Sequence, residues 1–362
     1  MIIAMFGHKS VPSRSGGIEV AVSELSSRMA ALGHKVVCYN RGGRGGRYGD
    51  VLLRSVPVLP FRGAAAVTGA FFAAVCSAFS DARVVHIHGE GPAFFCAIPK
   101  LFGKQVVVTV HGLDWKRQKW QGTLGRGFLR SAEAMTARFA DTVIVLSRNA
   151  QTYFREVYNR DTVYIPNGVC LPARQGTSVC ERLGLEPDEY FLFLGRLVPE
   201  KGVHLLIEAF RQVQTDKKLL IAGASSDTDG YVARLTELAK DDARVCFCGP
   251  VQAGQLEELY SHAWCYVLPS FLEGMPLSLL EALACGCCCL VSDIPECSEV
   301  AGDCAMTFPA GNKNALTHSL QRLCREPDLV AAFREKARKK ELPDWDAVTE
   351  QTLRIYEGGN LP

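Results

Sequence analysis

Two carboxylates, Glu273 and Glu281, stand inside SFLEGMPLSLLEALACGCC (270–288), a stretch that otherwise has the composition of a buried helix. Pro276 suits the first position of that helix, where its fixed φ and missing N–H cost nothing. Glu273 then lies on the loop before the helix and Glu281 in its second turn. Backbone N–H groups at Gly274, Met275 and Leu277 are left to bind an anion, aided by the positive end of the helix dipole. The flanking carboxylates are suited to accept hydrogen bonds from hydroxyls. A capping role for Glu273 and an exposed helix face for Glu281 fit the same residues equally well.

Three further stretches hold chemistry of a matching kind. In GRLVPEKG (195–202), Arg196 offers a planar fork and Lys201 a point charge, a pair suited to phosphate oxygens, although two solvated loop cations read the same way. In FGHKSVPSRSGGIE (6–19), Gly16 and Gly17 allow backbone amides to approach an anion closely. This is not the GxGxxG pattern, which argues against a dinucleotide fold, and Glu19 reads as an ordinary first-turn acid. In VTVHGLDWKRQKW (108–120), His111 closes an apolar run at the position from which strand-end side chains project. Central donors with acceptors on either side match a diphosphate flanked by polyols, the shape of a nucleotide sugar.

Such groups must be held by strand ends. Short apolar runs alternate with longer helical segments throughout: MIIAMF, KVVCYN, RVVHIH, QVVVTV and TVIVL first, then YFLFLG, KLLIAG, RVCFCG, CYVLP and CCLVS. Strands apolar on both faces, separated by amphipathic helices, predict parallel sheets covered on both sides. The spacing predicts helices over 18–32 (Val22, Leu25, Met29, Leu32) and 202–213 (Val203, Leu206, Ile207, Phe210). The Ala-rich run 64–79 reads as a packed helix, too short to span a bilayer. Pro, Gly and small polar residues at 166–180 place a hinge there, so the α/β chain divides into two doubly wound domains, with ligands at strand C-termini. A last amphipathic segment, WDAVTEQTLRIY (345–356), lies too far from any strand to complete a βα unit and is expected to pack along the outside. GGRGGR (42–47) reads as a solvated turn.

At 362 residues the chain is long enough for two cores, and 40 basic against 38 acidic residues argue against a dedicated nucleic-acid binder while leaving local basic patches open. The start lacks a charged n-region, which predicts a first strand and a cytoplasmic protein. Fifteen cysteines then read as reduced thiols. The spacing of Cys285, Cys287, Cys288 and Cys289 fits no zinc or iron–sulfur pattern, so they read as small apolar residues where a helix gives way to a strand.

Taken in order, GGIE (16–19), VTVHG (108–112), IPNGV (165–169), GRLVPEKG (195–202) and EGMPLSLLE (273–281) resemble the family 4 glycosyltransferases along nearly the whole chain. The resemblance implies the GT-B architecture: Rossmann-like domains at 1–168 and 169–342, a deep interdomain cleft, and a C-terminal helix within 343–362 that crosses back to the first domain. It implies a retaining glycosyltransferase that moves a sugar from a nucleoside-diphosphate sugar to a glycan or lipid-linked acceptor in surface-polysaccharide or cell-envelope synthesis. Arg196 and Lys201 would bind the donor diphosphate together with amides at Gly274, Met275 and Leu277. Glu281 would hold the ribose hydroxyls, Glu273 the transferred sugar, and His111 would sit near that sugar. Gly16 and Gly17 would border the diphosphate. No metal or cofactor is implied; the nucleotide sugar is a co-substrate.

For the acceptor, DWKRQKWQGTLGRGFLR (114–130) mixes five cations with Trp115 and Trp120. That suits an anionic lipid surface at the inner face of the plasma membrane, or a lipid diphosphate, as well as it suits a solvated loop. Two rival readings share the donor grip: a nucleotide-sugar epimerase on the same fold, and a non-catalytic nucleotide-sugar binder. Sequence gives no base, sugar or linkage, though GPVQ (249–252) is one place for base contacts.

Overall fold

The computed structural model describes residues 1–42, 45–59, 61, 64–170, 176–226, 228–252 and 254–359. Residues 43–44 of the Gly/Arg turn and 171–175 of the expected hinge lie outside them. The chain divides into two compact units, Met1–Gly168 joined by the stretch from Pro343 onward, and Val169–Leu342.

The first unit contains β1 (Ile2–Phe6), β2 (Lys35–Arg41), β3 (Gly46–Tyr48), β4 (Val51–Val56), β5 (Val84–His88), β6 (Gln105–Val110), β7 (Thr142–Val145) and β8 (Val163–Tyr164). They form one sheet in the order β3-β4-β2-β1-β5-β6-β7-β8. Every pairing is parallel except β3 with β4. The second unit contains β9 (Tyr190–Leu194), β10 (Lys218–Ala222), β11 (Val245–Gly249), β12 (Cys265–Leu268), β13 (Cys289–Ser292) and β14 (Ala305–Phe308), in the parallel order β11-β10-β9-β12-β13-β14. Among the parallel strands of each sheet the order turns back once, at β1/β5 and at β9/β12. The C-terminal strand ends beside such a turning point are where open α/β sheets bind their ligands.

The sequence makes the central strands plain because β5, β12 and β13 are buried at every position. It does not reveal β3, β4, β8 or β14. β4 exposes Arg54 and Ser55, β14 exposes Thr307, and β3 and β8 are three and two residues long. A strand near an edge keeps only part of its surface in the core and so loses the continuous apolar run.

Two helices pack in a way that periodicity alone does not specify. Ala64–Ala78 buries only Gly69, Ala70, Ala73, Ala74, Ser77 and Ala78, while Phe71 and Phe72 face outward. Small residues inside let the helix lie close to its neighbours; the bulk is left outside. Trp345–Tyr356, capped by Asp344 accepting from Ala347 N at 2.6 Å, keeps Asp346, Glu350 and Arg354 exposed and lays its apolar face on the first unit. Trp345, Val348, Ile355 and Tyr356 are buried in the first unit, and the Tyr356 hydroxyl bonds His86 Nδ1 on β5. Arg28 Nε reaches Asp346 at 2.7 Å, and Gln105 Nε2 donates to Ile355 O at 3.2 Å.

Candidate functional site

The second unit assembles its polar groups at the β9/β12 turning point. After β9 the chain runs through Gly195 and Arg196, and Leu197 N donates to Ala224 O (2.9 Å) beyond the neighbouring β10. A short turn, Pro199–Lys201, ends at Gly202 in the left-handed region (φ 68°). A Cβ at Gly202 would meet Pro269 O at 2.1 Å, so the loops after β9 and β12 touch backbone to backbone. Phe271 N donating to Glu200 O (2.8 Å) joins them again.

This contact brings Lys201 Nζ to Glu273 Oε1 at 2.6 Å, with the two side chains 12% and 8% exposed. Ser270 donates to the same carboxylate oxygen, and Ser292 Oγ fixes Ser270 by donating to its carbonyl at 2.6 Å. Glu273 is therefore an ion-pair partner and not a helix cap. Pro276 is not the first helical residue either: at ψ 102° it is the N-cap, and the helix is Leu277–Ala284. Its carbonyl accepts from Leu279 and Leu280, which closes the first turn, with Gly274 and Met275 on the approach and Leu277 at its start. Glu281 is half-buried in the second turn and accepts a hydrogen bond from Tyr260 OH at 3.3 Å. Burial pushes the Tyr260 hydroxyl well above its ordinary range, so it stays a donor.

In the first unit Gly16 is the N-cap of Gly17–Ala31, and Glu19 in the first turn accepts from Lys9 N at 2.9 Å, tying down the loop after β1. His111 follows β6 and places its Nε2 3.1 Å from His88 Nδ1 at the end of β5. His8, just past β1, bonds Asn40 Oδ1 through Nε2 at 2.9 Å. His8 and His88 are buried, and among the described residues His8 Nδ1 and His88 Nε2 have no hydrogen-bond partner. Sequence reasoning passes over both; the signal available was their place beside β1 and β5, the strands that flank the turning point.

Burial lowers His8 and His111 to about 4 and His86 to about 3, and pushes His88 well below 6.5. At His111 the charges of Asp114 and Glu19 partly offset it. The folded chain thus binds fewer protons than the unfolded chain between the folded values and 6.5. Stability from these groups is complete above 6.5 and is lost as pH falls toward 4. The urea midpoint should therefore drop between about pH 7 and about pH 5, and drop less in His8→Gln. A flat profile would mean that these imidazoles are solvated.

The segment 114–130 is tethered by Asp114 N donating to Glu90 Oε2 at 2.8 Å. Burial, with Asp114 and Glu133 nearby, holds the Glu90 carboxyl well above its usual range. Glu133 accepts from Tyr153 OH (2.9 Å) and Tyr158 OH (2.8 Å). Trp115 is half-buried against the core, with Lys116, Arg126 and Arg130 5.7, 5.2 and 5.4 Å from its ring centroid. All fifteen cysteines carry free thiols, and among the described residues no group of three or more His, Cys, Asp or Glu could hold a metal ion.

Two family models match in succession, "Glycosyltransferase Family 4" over residues 15–171 and "Glycosyl transferases group 1" over residues 181–340. The chain belongs to the family 4 glycosyltransferases. Among relatives of this glycosyltransferase, the alpha-maltose-1-phosphate synthase of Mycobacterium tuberculosis is 28% identical over 98% of this chain and 99% of its own. The O-antigen chain mannosyltransferase B of Escherichia coli is 29% identical over 54% of this chain and 51% of its own. Anabaena HepE, solved in complex with UDP-glucose, superposes with a TM-score of 0.82 at 17% identity, covering 99% of this chain and 100% of that one. That likeness shows the fold, two Rossmann-like domains of the GT-B type. The relatives are transferases, which does not favour an epimerase. No helix among the described residues is long and apolar enough to cross a membrane.

Proposed function

We propose that this glycosyltransferase takes its sugar from a nucleoside-diphosphate sugar, retains the anomeric configuration and uses no metal ion. The observation that carries the reading is the Lys201–Glu273 ion pair at the β9/β12 turning point, one turn of chain before the Leu277–Ala284 helix. An ammonium and a carboxylate held at 2.6 Å present opposite recognition chemistry within one sugar's width. Lys201 and Arg196 would meet the diphosphate together with backbone amides from Gly274, Met275 and Leu277. Glu273 would accept from hydroxyls of the transferred sugar, and Glu281 from the ribose.

As the glycosidic bond breaks, the sugar becomes oxocarbenium-like and negative charge gathers on the leaving diphosphate. Cations and helix N–H groups already aimed at that charge stabilise it without rearranging. On the first unit, Gly16 and Gly17 are assigned to the diphosphate and His111 to the sugar. A largely neutral His111 would approach the sugar as a hydrogen-bonding group and not as a fixed cation. HepE, solved with UDP-glucose, supports a nucleotide-sugar donor.

The acceptor we assign to a glycan or lipid-linked saccharide of cell-envelope or surface-polysaccharide synthesis, on the inner face of the plasma membrane. The O-antigen mannosyltransferase supports this, as do the cations gathered over Trp115 in 114–130, which suit an anionic headgroup or diphosphate. The test is a thermal-shift screen of uridine-, guanosine- and adenosine-diphosphate sugars, then mass spectrometry of products with lipid-linked and soluble acceptors. One donor class should raise the melting point, and Glu281→Gln should weaken it about tenfold, the loss of one charge-assisted hydrogen bond. Conversion of donor without any acceptor, or no stabilisation by any donor, would remove the proposal.

A further inference from the structure

Of the imidazoles gathered at the strand ends of the first unit, only His111 has a part in the proposed chemistry; its neighbour His88 has none. Yet His88 is held from three directions. The β5–β6 register sets it beside Thr109, two residues before His111, and His88 Nδ1 lies 3.1 Å from His111 Nε2. The His86 ring stands 4.1 Å from that of His88, centroid to centroid, and is itself held by Thr109 Oγ1 at 2.7 Å and by the Tyr356 hydroxyl. The chain leaving β1 presses on its backbone, since a Cβ at Gly7 would meet His88 O at 2.0 Å.

Burial pushes His88 and His111 below their ordinary range, so near neutral pH each ring carries one proton. Between His88 Nδ1 and His111 Nε2 one nitrogen must therefore donate and the other accept. The second nitrogen of His88 decides which. Among the described residues His88 Nε2 is buried with no partner. A proton there would make a buried N–H with nothing to bond, which is rarer and costlier than a bare lone pair left alone. The proton of His88 is accordingly assigned to Nδ1, which donates to His111 Nε2; the proton of His111 then sits on its own Nδ1. His8 obeys the same rule on independent grounds. Asn40 Oδ1 accepts from Val11 N at 3.1 Å while Asn40 Nδ2 donates to Val11 O at 3.2 Å, so that amide cannot be turned around. His8 Nε2 must donate to the oxygen, and the nitrogen it leaves without a partner, Nδ1, is the bare one.

We propose that His88 is a positioning residue: donating from Nδ1, it locks His111 in the form protonated on Nδ1, so that His111 meets the transferred sugar as a hydrogen-bond donor. The proposal rests on the assignment of His111 to the sugar and adds which of its nitrogens carries the hydrogen. A solvated neutral histidine favours the proton on Nε2, so without His88 the preference should reverse.

The test begins with the full chain, free of ligand and isotopically labelled at the histidine nitrogens, because the two neutral forms differ in their ring-nitrogen chemical shifts. His111, identified by the signals lost in His111→Gln, should be protonated on Nδ1. His88→Asn, whose amide can donate from nearly the same place, should keep that form; His88→Leu should move the proton to Nε2. Turnover is followed as nucleoside diphosphate released from UDP-glucose, GDP-mannose or ADP-glucose. In His88→Leu kcat should fall about tenfold or more with KM for the donor changed much less, and His88→Asn should restore most of it. A merely structural His88 would lower the melting point of both variants without that split. Wild-type His111 protonated on Nε2 overturns the proposal, and that spectrum decides even where His88→Leu folds poorly. So does a His111 unaltered in His88→Leu, or an altered one with unchanged kcat. The spectra need no substrate, so failure of the sugar contact itself is registered separately, as full turnover in His111→Gln.

Discussion

Replacing Lys201 with alanine is expected to lower turnover about 100- to 1,000-fold, the range for removing one preorganised donor from developing negative charge. The ion pair adds a second effect. Lys201→Ala leaves the Glu273 carboxylate 8% exposed and held only through groups such as Ser270, so folding should lose about 1–3 kcal/mol. The two effects separate in Lys201→Ala/Glu273→Gln, where no carboxylate remains to be left alone. That variant should regain most of the stability and none of the turnover. Urea denaturation and steady-state rates measure the two quantities. A Lys201→Ala enzyme of near-normal rate would show that the ammonium serves only to neutralise Glu273.

Gly202→Ala should be damaging although it adds one methyl group. At φ 68° an alanine costs about 1 kcal/mol of backbone strain. The added Cβ would also lie 2.1 Å from Pro269 O, which can be relieved only by separating the loops that carry Lys201 and Glu273. Displacement of about 1 Å at a reacting centre is worth about 100-fold in rate. We expect a stability loss above about 2 kcal/mol and an activity loss of at least that order. Gly230→Ala is the control. It lies in the helix Asp229–Ala239 with nothing within 4 Å of the new Cβ, and should be neutral or slightly stabilising. Equal behaviour of the two variants would mean that the loop contact does not hold the pair in place.

The parts of the molecule legible in sequence share a physical cause. Strands buried on both faces spell out unbroken apolar runs, so MIIAMF or YFLFLG announces itself. Strands with one wet face, such as VLLRSV, do not. The residue types of the proposed donor site are visible in the sequence, because glycine, a cation pair and two carboxylates are uncommon together. Their pairing is not. Lys201 and Glu273 are 72 residues apart, and only the adjacency of β9 and β12 makes them neighbours. The same applies to His8, His88 and His111, which three separate strands bring together. The burial of Glu90 and Glu133 arises from the packing of helices, which no local spacing encodes. In Ala64–Ala78 every residue looked fit for an interior; the division into a small inner face and a large outer one appears only once the sheet beneath is known.

The closing helix Trp345–Tyr356 has a bearing on how the chain matures as it leaves the ribosome. The first unit requires Tyr356 beneath His86 and Trp345 against Gly168, yet residues 169–342 must be made before either emerges. At ordinary elongation rates that interval is roughly ten to thirty seconds. For that time the nascent first unit displays an open seam along β5 and β6, which makes it a natural client for a chaperone. A chain stopped before Trp345 would lack this helix and leave that seam permanently unsealed.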